Sequence, residues 1–308
     1  MLSLLLSLHI GYAEFKVAGE PVQLIAAVEG HFMRPLWSPD GNKIAFTADN
    51  YSGLWIAHAD GSQMQQISDD PAVGFGFQWS SDGGAILTRV AKWQGPIRYN
   101  AIKVFDLTQN TGQLLTEYRL GLNSLPYWTP DDAQVLFYAQ GHMQSINSGR
   151  PANAIKKQVP ETMCYIQNDR LAIVSMQDET AQVASAVKDL RIINLTISPD
   201  RQKAAFEILG GPMCVIDSDG SNLLELGQGN RPQWSPDSQY LIYTISQDDG
   251  HEITASNLYI IRVDGSEKQK IVLPADLIAM SPAWSPSENK IIFEDYKTGS
   301  VYMIRLLK

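Results

Sequence analysis

Short β-rich apolar runs recur along the chain, each introduced by the same polar phrase. The phrase is an aromatic residue, a Ser or Thr, usually Pro-Asp, and a few polar residues. Trp37-Ser38-Pro39-Asp40 leads to KIAFT, Trp79-Ser80-Ser81-Asp82 to AILTR, and Trp128-Thr129-Pro130-Asp131 to QVLFY. Ile197-Ser198-Pro199-Asp200 leads to KAAFE, Trp234-Ser235-Pro236-Asp237 to YLIYT, and Trp284-Ser285-Pro286-Ser287 to KIIFE. The intervals are 42, 49, 69, 37 and 50 residues, and the longest is too long for one unit. Inside it, Tyr165-Ile166-Gln167-Asn168-Asp169 followed by RLAIVS repeats the phrase with one residue deleted, which makes seven units. No stretch holds helical apolar spacing for more than a turn or two.

Within a unit the pattern continues to a third run (LWIAHA, MCVID, LYIIRV), an Asp-Gly-Ser turn at Asp60, Asp219 or Asp264, and a fourth run. Asp-Gly between apolar runs signals a hairpin, because Gly supplies positive φ without strain. Four antiparallel strands in about 40 residues make a β-propeller blade. The predicted fold class is all-β: a β-propeller of four-stranded antiparallel blades, seven favoured and six the alternative. The last unit ends after its third strand, while Val22-Gln23-Leu24-Ile25-Ala26-Ala27 forms a strand with no blade of its own. Pairing the two closes the ring and removes an exposed edge.

The phrase Trp-Ser-Pro-Asp-Gly-x-Lys-Ile-Ala-Phe, complete from Trp37 to Phe46, together with the downstream Asp-Gly-Ser turns, resembles the TolB-type, WD-like propeller repeat. That repeat also occurs in propeller domains of prolyl oligopeptidase-like peptidases and some bacterial pectate-fragment lyases. The resemblance spans residues 20–308 and implies a fold rather than one function. TolB proteins are periplasmic parts of the Tol-Pal envelope system, with an α/β domain ahead of a six-bladed propeller. Seven blades leave no length here for that domain.

Charge and composition narrow the functional classes. With 24 basic against 33 acidic side chains and a net charge of −9, the chain lacks the basic footprint that nucleic-acid binding needs. Residues 1–10 read MLSLLLSLHI and are followed by Gly11-Tyr12-Ala13, which resembles a secretory signal cleaved after Ala13. The expected organisation is a signal at 1–13 and a single propeller at 14–308, periplasmic or secreted. The apolar run is below the roughly 20 residues of a membrane span. Cys164 and Cys214 fall on a first and a third strand of neighbouring units, which predicts two buried thiols rather than a bridge.

The repeated Asp residues read as turn caps and the tryptophans as packing between blades, because the same chemistry recurs wherever the same turn recurs. Asp217-Ser218-Asp219-Gly220 with Glu225 is shorter than a calcium loop and reads as a hairpin turn. The histidines lack ligand spacing, no Gly-x-Ser-x-Gly elbow is present, and His251-Glu252 lacks the second His of a zincin motif. No catalytic residue, metal site or cofactor is therefore expected. The inner-strand starts PLWS, FQWS, PYWT, LTIS, PQWS and PAWS read as apolar or amide-bearing, which argues against ionisable chemistry in the central channel.

The Ser-Pro-Asp and Asp-Gly turns share one face of the ring, and the irregular loops lie on the other. Binding gathers on loops held by a rigid scaffold. The predicted site is this loop face, with Trp93, Arg98 and Tyr99 as anchors and Asp248, Asp249, His251 and Glu252 as an acidic cluster beside them. The expected role is an exported, non-enzymatic, monomeric module that binds an envelope protein or a small ligand, without nucleic acid or a membrane span. The alternative is a propeller lyase or hydrolase acting on a saccharide or peptide, with its site at the central channel.

Overall fold

The computed structural model describes residues 15–27, 30–152, 162–175 and 181–307. The N-terminal run read as a signal lies outside them. Seven antiparallel sheets form the blades of a propeller. Their inner strands begin at Phe32, Gln78, Tyr127, Thr162, Ile192, Asn230 and Ala279. Blades 3 and 4 show three strands each among the described residues. The degenerate fourth unit is a blade: Thr162–Gln167 pairs with Arg170–Ser175 around a turn in which Asn168 and Asp169 take φ of 49° and 60°.

Each turn after an inner strand is built from the repeated phrase itself. In blade 1 the Ser38 hydroxyl donates to Asp40 Oδ1 at 2.6 Å, and Asp40 Oδ1 accepts the Asn42 N–H at 3.0 Å. Lys43 N–H donates to Ser38 Oγ at 2.9 Å. Ser80 with Asp82, Thr129 with Asp131, Ser198 with Asp200 and Ser235 with Asp237 repeat the first of these bonds. The Asp carboxylates therefore close their own turns. Asp219 likewise accepts the backbone and hydroxyl of Ser221, the hairpin turn expected there.

The core is divided between the blades. Among the described residues every neighbouring pair encloses its own apolar cluster, from Trp37 and Ile44 against Ala283 and Ile292 to Tyr240 and Ile242 against Trp284 and Ile291. The repeat tryptophans point into these interfaces, and four of the five, all but Trp284, add a directional bond. Trp37, Trp79, Trp128 and Trp234 donate Nε1–H to the carbonyls of Ala283, Leu36, Gln78 and Thr196, each on the inner strand of the preceding blade. Cys164 and Cys214 are both free and buried in the interface between blades 4 and 5. Burial raises their thiol pKa values to about 12 and about 11.

The ring closes as the pattern predicts, in two pieces rather than one. Val22–Ile25 runs antiparallel to the last strand, Val301–Leu307, with Val22 opposite Met303 and Gln23 opposite Tyr302. After an interruption at Ala18-Gly19-Glu20-Pro21, Lys16 and Val17 pair with Leu307 and Leu306. Phe15 then reaches back to blade 6. Its ring lies 5.1 Å from Tyr240 and 5.7 Å from Trp284, both edge-on, and its N–H donates to Gln269 Oε1 at 2.9 Å.

Candidate functional site

The loop face carries two long hairpin arms. In blade 2, Ala85–Gln94 and Ile97–Asp106 are ten residues each, against six for Lys43–Ala48 in blade 1. The register sets Trp93 opposite Arg98 and Lys92 opposite Tyr99. The Arg98 guanidinium lies 5.4 Å from the Trp93 ring centroid, and its Nε donates to Asn100 Oδ1 at 3.0 Å. Trp93 is 52% exposed, Tyr99 is half-buried, and Lys92 Nζ sits 4.5 Å over Tyr118 on the arm's other side. Trp93 and Arg98 are thus brought together as a stacked pair, and Tyr99 belongs to the opposite face of the ribbon.

The second arm, Tyr240–Asp248 with Ile253–Arg262, belongs to blade 6. Blades 7 and 1 lie between the arms, so the acidic cluster expected beside Trp93 sits on a separate element. Its carboxylates are partly committed. Asp248 Oδ1 accepts Gly250 N–H at 3.0 Å, and Asp249 Oδ1 accepts the N–H groups of His251 and Glu252 at 2.9 Å each. Those backbone bonds, the one from Glu252 foremost, hold the Asp249 carboxyl below the usual range. His251 and Glu252 are exposed.

Between the arms the inner strands depart from the sequence reading, because they begin before the apolar tetrapeptides and include ionisable residues. The strands Phe32–Trp37, Ile192–Ile197, Asn230–Trp234 and Ala279–Trp284 each carry a bulge. The residue three before the aromatic or its equivalent takes a left-handed backbone: Arg34, Gly76, Asn194, Arg231 and Ser281 have φ of 53°, 73°, 52°, 54° and 45°. A bulge adds a residue without a ladder partner and re-aims a side chain. Extending PLWS and PQWS upstream by this bulge places Arg34 and Arg231 on strands that line the channel, near its loop-face mouth.

A second position in the repeat secures these bulges. The last residue of KAAFE is Glu207, whose carboxylate accepts the Arg231 backbone N–H from blade 6. It also accepts the amides of Asn194 at 2.8 Å and Asn230 at 2.9 Å. The last residue of KIIFE is Glu294, which accepts the Arg34 backbone N–H from blade 1 and the Ser281 hydroxyl at 3.3 Å. Arg89 stands at the same position of blade 2, and its guanidinium donates to the carbonyls of Asn123 and Ser124 on the way to blade 3. One repeat position therefore ties each of these blades to the next, with the residue type set by what it must meet.

The electrostatics of the mouth follow from burial. Glu294 is pushed above the ordinary Glu range by burial, against the pull of Arg231 and Arg34. Arg34 is pushed down by burial and by Arg231, an effect that the Tyr51 hydroxyl opposes. Tyr51 packs edge-on against Phe75 at 4.9 Å, and the Arg89 guanidinium lies 5.6 Å over that ring. Burial, with Arg98 nearby, brings Arg89 down to about 10. Cations thus run from Arg231 through Arg34 and Arg89 to Arg98, in a chain whose net charge is −9. The mouth offers guanidiniums, a tyrosine and a serine hydroxyl. Among the described residues no group of three His, Cys, Asp or Glu side chains is placed to hold a metal ion.

Comparison with known proteins places the repeat and the fold. No family model matches the chain. A 46-residue segment is 41% identical to the Tol-Pal system protein TolB of Anaeromyxobacter dehalogenans; it covers 14% of this chain and 11% of that protein. Among solved structures, the β-propeller domain of Cps50 (Swd1) from Myceliophteria thermophila superposes with a TM-score of 0.62 at 10% identity, covering 93% of this chain and all of that one. An oligogalacturonate lyase in complex with manganese superposes at 0.50 and 13% identity over 89% of this chain and 77% of the lyase. At these identities the structures share the fold alone. No helix among the described residues is long and apolar enough to cross a membrane. The repeat phrase, the local match to TolB and the seven sheets agree: the chain is a seven-bladed, TolB-like β-propeller.

Proposed function

We propose that the chain is an exported, non-enzymatic binding module of the bacterial envelope, working as a monomer and presenting its loop face to a protein partner or small ligand. The observation that carries this reading is the blade 2 arm. Its Trp93 is half exposed with Arg98 stacked on it, on a ribbon of paired strands that fixes their direction. Large, rigid aromatic and guanidinium groups are the ones that dominate interface energetics. Trp93 and Arg98 serve as the anchor, Tyr99 with Lys92 and Tyr118 stiffens the arm, and His251 and Glu252 supply the exposed polar tip of blade 6. Export rests on the apolar run and the small residues that follow it, through Ala13. The periplasmic address is supported by the TolB match.

The decisive experiment compares pull-downs from envelope extract by the wild-type chain and by Trp93→Ala/Arg98→Ala, with melting temperatures measured on both. A captured species lost from the variant at unchanged stability is the expected result. Identical capture by the two proteins removes the arm from the function. Mass spectrometry of secreted material should show a mature N-terminus at Glu14, and an intact Met1 there refutes export by cleavage.

A further inference from the structure

The two inner-strand arginines are built at an expense that packing alone does not explain. A left-handed backbone is unfavourable for a residue with a Cβ, and Gly or Asn adopts it more readily. Blades 2, 5 and 7 use Gly76, Asn194 and the small Ser281 at this position, yet blades 1 and 6 place the long, charged Arg34 and Arg231 there. Strained residues of this kind cluster at ligand clamps.

The nearby carboxylates do not neutralise them directly. Glu207 is occupied by one backbone N–H and two amides, and Glu294 by a backbone N–H and a hydroxyl. Among the described residues neither guanidinium forms an ion pair with a carboxylate within 4 Å. Arg231 donates to the Ser281 hydroxyl, on the inner strand of blade 7 that separates it from Arg34. The Arg34 backbone N–H and the Ser281 hydroxyl meet on the one Glu294 carboxylate, which brings the two arginines together at this hydroxyl, and Arg231 adds to the burial that disfavours the charge on Arg34.

We infer that Arg34 and Arg231, with the Ser281 hydroxyl between them and Tyr51 alongside, form an oxyanion-binding site at the loop-face mouth of the channel, for a carboxylate or phosphate group of a ligand. The guanidinium fork matches either group through two parallel bonds. An anion here cancels the repulsion between the arginines, and the low dielectric of the mouth strengthens its hold. The inference rests on the binding-module reading and names the chemistry of its ligand, but it does not depend on the Trp93 arm.

The test is thermal unfolding of the full chain titrated with inorganic phosphate or with citrate, at ionic strength held constant with sodium chloride. The variants are Arg34→Asn, Arg231→Asn and, as a control on a remote exposed cation, Arg191→Asn. Asn tolerates the left-handed backbone, so the first two are expected to fold. The wild type and the Arg191 variant should show a saturable rise in melting temperature with at least one anion. Response to citrate alone assigns a carboxylate ligand, and response to phosphate alone a phosphate. Arg34→Asn should weaken the apparent affinity roughly tenfold or more, as expected for a lost charge-assisted contact, while its melting temperature without anion stays level or rises. Three results overturn the proposal: no saturable rise in the wild type, equal rises in wild type and Arg34→Asn, or a marked loss of anion-free stability in Arg34→Asn. The arm variant's pull-down is independent of all three, so failure of the anion site and failure of the module reading are told apart.

Discussion

Phe15 is the point at which ring closure can be measured with one substitution. It is 4% exposed and belongs to the cluster between blades 6 and 7, beside Ile260, Ala279 and Leu306. Its ring meets Tyr240 and Trp284 edge-on, and its backbone exchanges hydrogen bonds with the Gln269 amide. Truncation to Ala removes the ring and leaves a cavity between two blades, a loss of about 3–5 kcal/mol. Phe15→Leu keeps much of the apolar volume and gives up chiefly the two aromatic pairs, each about 0.5–1.5 kcal/mol. At this chain length about 2 °C accompanies each kcal/mol, so Phe15→Ala should melt roughly 6–10 °C lower. The assay is equilibrium urea unfolding alongside calorimetry. A lower midpoint at constant denaturant slope shows that the whole ring is destabilised rather than a frayed end. If Phe15→Ala melts within about 1 °C of wild type, the N-terminal strap does not close the ring and the reasoning fails.

Gly61 and Gly265 occupy equivalent turns with φ of 82° and 85°, but a Cβ on Gly61 meets the Leu24 carbonyl oxygen at 2.0 Å, whereas one on Gly265 meets only Leu side-chain carbons from 3.7 Å. Gly61→Ala should therefore lower the melting temperature more than Gly265→Ala, and equal shifts would mean the closing strand is not seated against blade 1. Buried and with raised pKa values, Cys164 and Cys214 should resist iodoacetamide at pH 8 in the native chain and both react in urea; rapid native labelling of either refutes the packing between blades 4 and 5. The Asp60, Asp219 and Asp264 carboxyls lie below their unfolded values, chiefly because the adjacent Ser hydroxyl donates to each. A depressed carboxyl stabilises the fold above its unfolded pKa, about 3.9, and that contribution disappears as pH falls through the folded value. Melting temperature should accordingly drop below about pH 4, and Asp60→Asn should have a shallower acid limb; an unchanged limb would mean these turns do not govern acid stability. Glu294 has the opposite sign, since its raised pKa means stability present at low pH and lost as pH rises through the folded value. Glu294→Gln should remove that loss, visible as a flatter profile above the acid limb.

How far the sequence carries the structure depends on whether a residue's partner lies inside its own repeat. The Ser-Pro-Asp turns bond within a few residues, from Ser38 to Asp40 and Lys43, so the phrase that names them also builds them. Tryptophan packing was legible for a related reason. An aromatic residue recurring once per unit packs against a neighbouring unit, and Trp37, Trp79, Trp128 and Trp234 all repeat the same bond to the preceding blade. Ring closure was legible from an unpaired strand at each end. The channel mouth was not, because its geometry comes from a bulge that adds no composition signal and is marked by residues as different as Gly76, Asn194 and Arg231. The signal lay in the period itself. Counting three back from each aromatic, and taking the fifth residue of the second strand, sets Arg231 beside Glu207 and Arg34 beside Glu294.

Those four residues show why a repeat that fixes the fold can still conceal the function. Glu207 and Glu294 use equivalent positions to grip the next blade's backbone, and Arg89 at the third such position grips a backbone of opposite polarity, with donors in place of acceptors. Variation at one repeat position is thus consistent with a constant structural task. Arg34 and Arg231 differ from this pattern, because they share their left-handed bulge with Asn194 and Ser281 while, among the described residues, their guanidiniums have no carboxylate within 4 Å. Where the backbone requirement at a position is common to several blades and the side chain is the costly choice, selection on the side chain is the simplest cause. The mouth where blades 6, 7 and 1 meet is where this applies, and the Arg34→Asn variant tests it directly: it tolerates the left-handed backbone and removes the guanidinium with its stem.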